Sequence, residues 1–360
     1  MQNPTAPTRK LHIEFLRILA CLFVIFNHTD GIFTYAGCDL QAPPFWIYLA
    51  LSVFTKFAVA MFFAISGALL LPKLEEPVGH IYKHRVLRFV CILTCWSFVS
   101  YLLEVFHLER AHWGAGSFFD HLLFTNWNLT YWYLYAFLAY LFTLPLLRRL
   151  VVAMTDRDYY YLFGLYFMVF CFVPIVQYIF TKRVDLLNPE LKPTWIGERI
   201  FFFPVFGYFL EHRSERFRSK KCLLLLWLAT LVALITDMLL TWSRGIRAND
   251  LVGQFYYATS LPFFVAALYL TARALFDRCT PPAWLARLLT TIGGCTLGIY
   301  LLHFSIMNQL GVGSVILEVL CGALGMNVVL ANLVCSLLIL LLCTGITLIL
   351  KKIPVVRKLV

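Results

Sequence analysis

Long apolar stretches, separated by short polar and basic segments, run along almost the whole chain. Most are about 20 residues long, the length that an α-helix needs to cross the hydrocarbon layer of a bilayer. The pattern predicts ten spans. They cover residues 13–33, 47–71, 86–107, 131–150, 159–180, 196–211, 222–241, 254–275, 290–310 and 328–350. No linker rich in serine or glycine divides the chain, so we expect one all-α, polytopic membrane domain over residues 1–360.

An arginine and a histidine lie within the first apolar stretch. Arg17 and His28 are separated by the run ILACLFVIFN. Over this spacing an α-helix turns about 1,100°, roughly 20° beyond three full turns, and rises about 16 Å. Both side chains therefore lie on one face of the predicted helix, at two depths in the membrane. Ionisable groups are costly in a bilayer, so the pair is a candidate functional site. The alternatives are an arginine that reaches the interface and a buried structural histidine.

The composition agrees with a membrane protein. Of the residues, 61% are hydrophobic and 14% are charged, against roughly 25% charged in a soluble domain. The formal net charge is +11, and most of the 30 Lys and Arg residues fall in loops on the side that holds the N-terminus. The positive-inside rule then predicts that both termini are cytoplasmic, and it accounts for the charge without nucleic acid. The 11 cysteines show no metal-ligand spacing, so no metal site is expected.

A basic segment before the third span holds candidates for binding an anionic cosubstrate. Arg85 and Arg88 are i and i+3, which places them on one face of an α-helix. With Lys83 they could hold phosphate groups, although a topology signal explains the same charges. Ser66 lies in the second span near the predicted depth of Arg17, and small residues there would also allow close helix packing.

Other candidates lie toward the opposite side of the membrane. His303, in the ninth span, is predicted near the depth of His28. Trp132 opens the fourth span, and Trp195 and Arg244 lie in predicted outer loops, where they could contact an acceptor. An interfacial aromatic belt would explain Trp132 equally well, and solvated loops would explain the other two.

Five motifs, in this order, resemble the acyltransferase 3 family of integral membrane acyltransferases. They are Arg-x10-His in the first span, FF-x-I-S-G at residues 62–67, Arg-x-x-Arg at residues 85–88, an aromatic segment around Trp132, and a glycine-rich segment ending in L-G-I-Y-x-x-H at residues 294–303. The chain is similar to the short, stand-alone branch, which includes the enterobacterial common antigen O-acetyltransferase. One difference is Thr130, where several relatives have a histidine.

The resemblance implies a multi-pass enzyme of the inner (cytoplasmic) membrane. Such an O-acetyltransferase moves acetyl from cytoplasmic acetyl-CoA to a hydroxyl of a cell-envelope or exopolysaccharide sugar. The expected catalytic residues are His28, as general base or acetyl carrier, and Arg17. The remaining expectations are donor binding by Arg85, Arg88, Lys83 and Ser66, and acceptor binding by His303, Trp132, Trp195 and Arg244. The expected partners are acetyl-CoA as cosubstrate, a glycan or lipid-linked sugar, and membrane lipid, with no permanently bound cofactor.

Two alternatives remain open at the level of the sequence. A transporter or flippase for lipid-linked sugars would also have many spans and a polar track through the membrane, although no inverted repeat is visible. An acyltransferase could instead use another donor, such as succinyl-CoA. Binding of acetyl-CoA and formation of an ester distinguish these alternatives from the O-acetyltransferase.

Overall fold

The computed structural model describes residues 10–29, 43–182, 188, 193–248 and 259–360, apart from the side chains of residues 43–44 and 244–248. Every regular element in these ranges is a helix, as predicted. The helices of ten or more residues are α1 Leu11–His28, α2 Pro43–Phe54, α3 Phe57–Leu70, α4 Val78–Phe106, α5 Ala115–Phe124, α6 Leu129–Ala153, α7 Asp156–Thr181, α8 Arg199–His212, α9 Lys220–Ala248, α10 Leu261–Arg278, α11 Ala283–Gly294, α12 Thr296–Gln309, α13 Val312–Ala323 and α14 Val328–Leu350.

The described helices confirm a polytopic helical membrane protein. Seven segments are long and apolar enough to cross a bilayer: α1, the consecutive pair α2–α3, α4, α6, α7, α9 and α14. The pair α11–α12 is an eighth if it forms one bent span. The other two predicted spans correspond to α8 and α10. With 14 residues, α8 is shorter than a bilayer crossing requires, and α10 carries Arg273, Asp277 and Arg278 in its last turns.

The first helix lies at the centre of the bundle. It packs against α3, α10, α11, α12 and α14. Leu16 and Ala20 are fully buried on its packed side. Because α1 has neighbours on several sides, polar groups along it face protein instead of lipid, as intramembrane ionisable residues generally do.

Glycine allows α3 and α8 to approach each other closely. A Cβ atom on Gly67 would collide with the backbone of Pro204, and one on Gly207 would collide with the backbone of Ala64. Small residues at such crossings let two helices pack backbone against backbone in a membrane. This contact fixes α3, and with it Ser66, in the bundle.

A break between α11 and α12 bends the chain by 54°. The bend follows Gly293 and Gly294, and it leaves carbonyl groups outside the regular helical pattern. The Thr296 hydroxyl donates to the Gly293 carbonyl at 3.0 Å, and Lys351 Nζ donates to the Gly294 carbonyl at 2.6 Å. Such non-helical backbone within a membrane is tolerated where protein groups satisfy it or where it lines a cavity.

Candidate active site

Two large cavities lie beside α1, one next to Arg17 and one next to His28. We call the first the Arg17 cavity, of about 680 Å³, and the second the His28 cavity, of about 510 Å³. Tyr133 and Tyr300 line both. The sequence therefore placed Arg17 and His28 correctly on one side of α1, and the structure assigns them to neighbouring compartments.

Positive charge is concentrated in the Arg17 cavity. Its cationic lining residues are Lys10, Arg17, Lys73 and Arg88, and its acidic one is Glu14. Glu14 accepts a hydrogen bond from Arg17 at 3.3 Å, and Glu211 accepts one from Lys10 at 2.7 Å. Lys73 and Arg88 are then the lining cations that no carboxylate of the described residues pairs. Ser66 lines the same cavity, although its hydroxyl donates to the carbonyl of Phe62 in its own helix at 2.8 Å. The cavity offers charge complementarity to an anionic ligand.

The two arginines of the Arg-x-x-Arg motif do not point to the same place. Arg88 lines the Arg17 cavity and donates from Nε to the Lys358 carbonyl at 2.9 Å. Arg85 donates from Nε to Glu76 at 2.9 Å and does not line the cavity. The expectation of a shared face is wrong because Ile81–Val86 forms a π-helical turn. A π turn holds more residues than an α turn, so the i,i+3 rule does not apply across it.

Glu76 is the centre of an ion-pair cluster beside the cavity. Its carboxylate accepts hydrogen bonds from Arg85, from Arg148 at 2.6 Å and from the His80 ring at 2.9 Å. Burial alone would raise the pKa of Glu76, but the bonds from Arg85, Arg148 and His80 outweigh it and lower this pKa to about 2. Arg148 also donates to the Leu70 carbonyl at 3.0 Å. The Glu76 cluster therefore ties the end of α3 to α4 and α6.

The His28 cavity has a more aromatic lining. Trp132 and Tyr166 are among the residues that surround it, with Lys56 and Arg199 as its cationic members. The Arg199 guanidinium lies 5.1 Å from the Trp132 ring centre, a cation–π geometry. The predicted candidate Trp132 is thus brought next to His28, whereas Lys56 and Arg199 were not singled out from the sequence.

Asn27 fixes the end of α1 against the link between α2 and α3. Its amide nitrogen donates to the Thr55 carbonyl at 3.1 Å, and its oxygen accepts from the Thr55 hydroxyl at 2.9 Å. The same nitrogen also donates to the carbonyl of Phe23 at 2.9 Å. These bonds hold the last turn of α1, and with it His28, against the wall of the cavity.

His303 lies directly behind His28. The two ring centres are 5.5 Å apart, and His303 is fully buried. His303 Nδ1 lies 2.6 Å from the carbonyl oxygen of Tyr300. His303 lines neither the Arg17 cavity nor the His28 cavity. The sequence predicts His28 and His303 at similar depths in the membrane, but no local sequence pattern predicts a contact between residues so far apart in the chain.

Two tyrosine rings separate the cavities. Tyr133 and Tyr300 have ring centres 5.3 Å apart. The Tyr300 hydroxyl donates to the Thr130 carbonyl, which fixes α12 against the start of α6. Tyr133 packs on Phe63, with ring centres 5.0 Å apart. Both rings therefore form part of the wall of each cavity.

Besides Arg85 and His303, three further predicted residues are not brought to either cavity by the described structure. Lys83 is exposed on the π turn and lines neither cavity. Trp195 is 59% exposed and contacts Phe201, with ring centres 5.1 Å apart. Arg244 belongs to the backbone of α9, but its side chain lies outside the described residues. Their roles in binding stay predictions.

The comparison with protein families assigns this chain to a family. The acyltransferase domain of the acyltransferase 3 family matches residues 11–350, nearly the whole chain. No curated protein and no solved structure matches the chain. The closer similarity to the stand-alone branch stays a prediction. The match over the full bundle, together with the helical membrane fold, shows that this chain is a membrane acyltransferase belonging to the acyltransferase 3 family.

Proposed function

We propose that the protein is an O-acetyltransferase of the inner membrane, which moves acetyl from cytoplasmic acetyl-CoA to a hydroxyl of a cell-envelope or exopolysaccharide sugar. One observation carries the proposal. The cation-lined Arg17 cavity and the His28 cavity share Tyr133 and Tyr300. A transferase whose charged donor and whose acceptor lie on opposite sides of a membrane needs two compartments that meet at one point.

The Arg17 cavity is the proposed donor site. Lys73 and Arg88 would bind the phosphates of acetyl-CoA through charge-assisted hydrogen bonds. Apolar lining residues such as Leu69 and Phe137 suit the uncharged pantetheine arm. The predicted orientation opens this cavity to the cytoplasm. Donor binding is thus assigned to Arg88 with Lys73, which the sequence had not suggested, and not to the Arg85–Arg88 pair.

The reaction is proposed to take place where the cavities meet. His28 removes the proton of the acceptor hydroxyl as its oxygen attacks the thioester carbonyl. The new C–O bond forms, the C–S bond breaks, and the proton passes from His28 to the departing sulfur. Arg17, on the donor side, stabilises the negative charge that develops on the carbonyl oxygen. A route in which a nitrogen of His28 first takes the acetyl group requires the same positions.

The His28 cavity is the proposed acceptor site. Trp132 and Thr130 line it beside His28, and aromatic and hydroxyl groups are suited to the faces and edges of a sugar ring. The cavity is separated from the donor phosphates by the two tyrosine rings, which keeps the charged part of the cosubstrate away from the acceptor.

The test uses the full-length protein in detergent, radiolabelled acetyl-CoA and a fraction of lipid-linked envelope glycans. Wild type is expected to bind acetyl-CoA saturably and to transfer label that mild alkali releases as acetate. His28→Ala is expected to lower transfer at least ~10³-fold and to leave the acetyl-CoA Kd within about twofold, because general-base catalysis contributes ~10²–10⁴. His107→Ala, an exposed histidine at the end of α4, is the matched control.

Two results would contradict the proposal in different ways. A folded wild type that does not bind acetyl-CoA would exclude this donor, and longer acyl-CoAs and then lipid-linked sugar transport would be measured next. Transfer by His28→Ala at the wild-type rate would exclude His28 as base while leaving the donor site in place.

A further inference from the structure

His303 contributes to the site without reaching either cavity. It is fully buried, its ring centre lies 5.5 Å from that of His28, and it lines neither compartment. A substrate in the His28 cavity would meet His28 first. An effect of His303 on the reaction therefore passes through His28.

The hydrogen bond to the main chain fixes the tautomer of His303. The carbonyl oxygen of Tyr300, 2.6 Å from Nδ1, can only accept a hydrogen bond, so Nδ1 carries the proton. In the neutral ring Nε2 then bears a lone pair and is an acceptor. This atom is buried and has no hydrogen-bond partner among the described residues. A buried polar atom without a partner calls for an explanation.

The far edge of the His303 ring is directed away from its own helix. Nδ1 is bonded to a carbonyl one turn earlier in α12, so Nε2, across the ring, faces the neighbouring elements. The ring of His28 is one of these neighbours. The two rings are not hydrogen-bonded in this structure, but at a centre-to-centre distance of 5.5 Å a rotation of the His28 ring can bring one of its nitrogens to about 3 Å from Nε2.

His28 has no acidic partner in the described part of the chain. Beyond its own helix, its carbonyl accepts a hydrogen bond from the Asn308 side chain at 3.5 Å, and among the described residues it forms no salt bridge. A catalytic histidine is usually oriented by a third group that accepts the hydrogen bond of its second nitrogen. The Nε2 atom of His303 is an acceptor without a partner on the ring next to His28.

We propose that His303 is a positioning residue, whose Nε2 accepts a hydrogen bond from one ring nitrogen of His28 and thereby turns the other, unprotonated nitrogen toward the acceptor hydroxyl. The inference rests on the proposed function and replaces the sequence-based expectation that His303 binds substrate. During transfer, the hydroxyl proton moves to the free nitrogen of His28 and then to the sulfur of CoA. His303 keeps its own proton on Nδ1 throughout.

Two amide substitutions separate this role from the alternatives. In His303→Asn the amide nitrogen can still donate to the Tyr300 carbonyl, but the acceptor at the far edge is lost. In His303→Gln the longer amide can place its oxygen near the position of Nε2. We expect kcat to fall at least ~100-fold in His303→Asn and to stay within ~10-fold of wild type in His303→Gln, because orienting partners of this kind act on the rate. The KM for the acceptor and the Kd for acetyl-CoA should change less than about threefold in both variants.

The outcomes distinguish the possible roles of His303. If His303→Asn is at least as active as His303→Gln, the bond to Tyr300 is what matters, and the proposal is overturned. A rise in acceptor KM at unchanged kcat would show substrate binding and would also overturn it. In a His28→Ala background His303→Asn should cause no further loss, and an additive loss would show an independent role. If His28→Ala alone keeps full activity, the proposed function has failed before His303 is considered.

Discussion

The Arg17 cavity and the Glu76 cluster lie side by side, and both hold several cationic side chains. In the cluster, Arg85, Arg148 and His80 share the Glu76 carboxylate, so their positive charge is paired within the protein. In the cavity, Lys73 and Arg88 line an open volume of about 680 Å³. Basic residues on the predicted cytoplasmic side therefore serve two purposes. A basic motif read from the sequence does not show which residues bind a ligand until the positions of the carboxylates are known.

The largest effect on stability is expected when the Glu76 charge is removed. Glu76→Gln should destabilise the protein by about 3 kcal/mol, because the buried Arg148 would lose its charge partner. The expected result is a lower Tm in detergent at neutral pH. The acetyl-CoA Kd of the protein that remains folded should change little. An unchanged Tm would show that the cluster does not stabilise the fold.

The same cluster predicts a pH dependence. The folded-state pKa of Glu76 is about 2, below its ordinary value of 4.5. A lowered pKa means that the stabilisation is fully present above about pH 4.5 and is lost as the pH falls toward about 2. The Tm difference between wild type and Glu76→Gln should therefore shrink on acidification through this range. A constant difference would contradict the assignment.

An intermediate effect is expected from the cations that face the Arg17 cavity. Arg88→Ala and Lys73→Ala should each raise the Kd for acetyl-CoA about tenfold, which is a loss of ~1.4 kcal/mol of binding free energy. At high salt each increase in Kd should be smaller, because salt screens the charges. Arg85→Ala removes the same charge from the same segment and should leave the Kd within about twofold, while lowering the Tm. Equal Kd changes for Arg85→Ala and Arg88→Ala would remove the distinction between the two regions.

The smallest effect is expected at Lys83. It is exposed on the π turn and lines neither cavity, so Lys83→Ala should change neither the acetyl-CoA Kd by more than about twofold nor the Tm by more than about 1 °C. A tenfold loss of donor binding would instead indicate that the phosphates extend beyond the cavity to this surface.

The helical membrane class and the family could both be predicted from the sequence, because long apolar stretches and ordered motifs are local signals. The placement of Arg17 and His28 on one side of α1 was also predictable, since α1 is a regular α-helix. Arg85 was misplaced because the rule for an α-helix was applied to a π turn. Tyr133 meets Tyr300, and His28 meets His303, only through packing between helices that are distant in the sequence, and no local pattern encodes these contacts.

The π turn at Ile81–Val86 also bears on how this sequence tolerates change in length. A π turn is an α-helix that accommodates one extra residue, so its removal would restore an ordinary helix. Deleting His84, for example, would leave Arg85 and Arg88 three residues apart in that ordinary helix, about 60° apart around its axis. Arg85 would then be directed away from Glu76 and toward the face that holds Arg88. One extra residue in a helix is thus enough to give two neighbouring arginines different roles, Arg85 in stabilising the fold and Arg88 in binding a ligand.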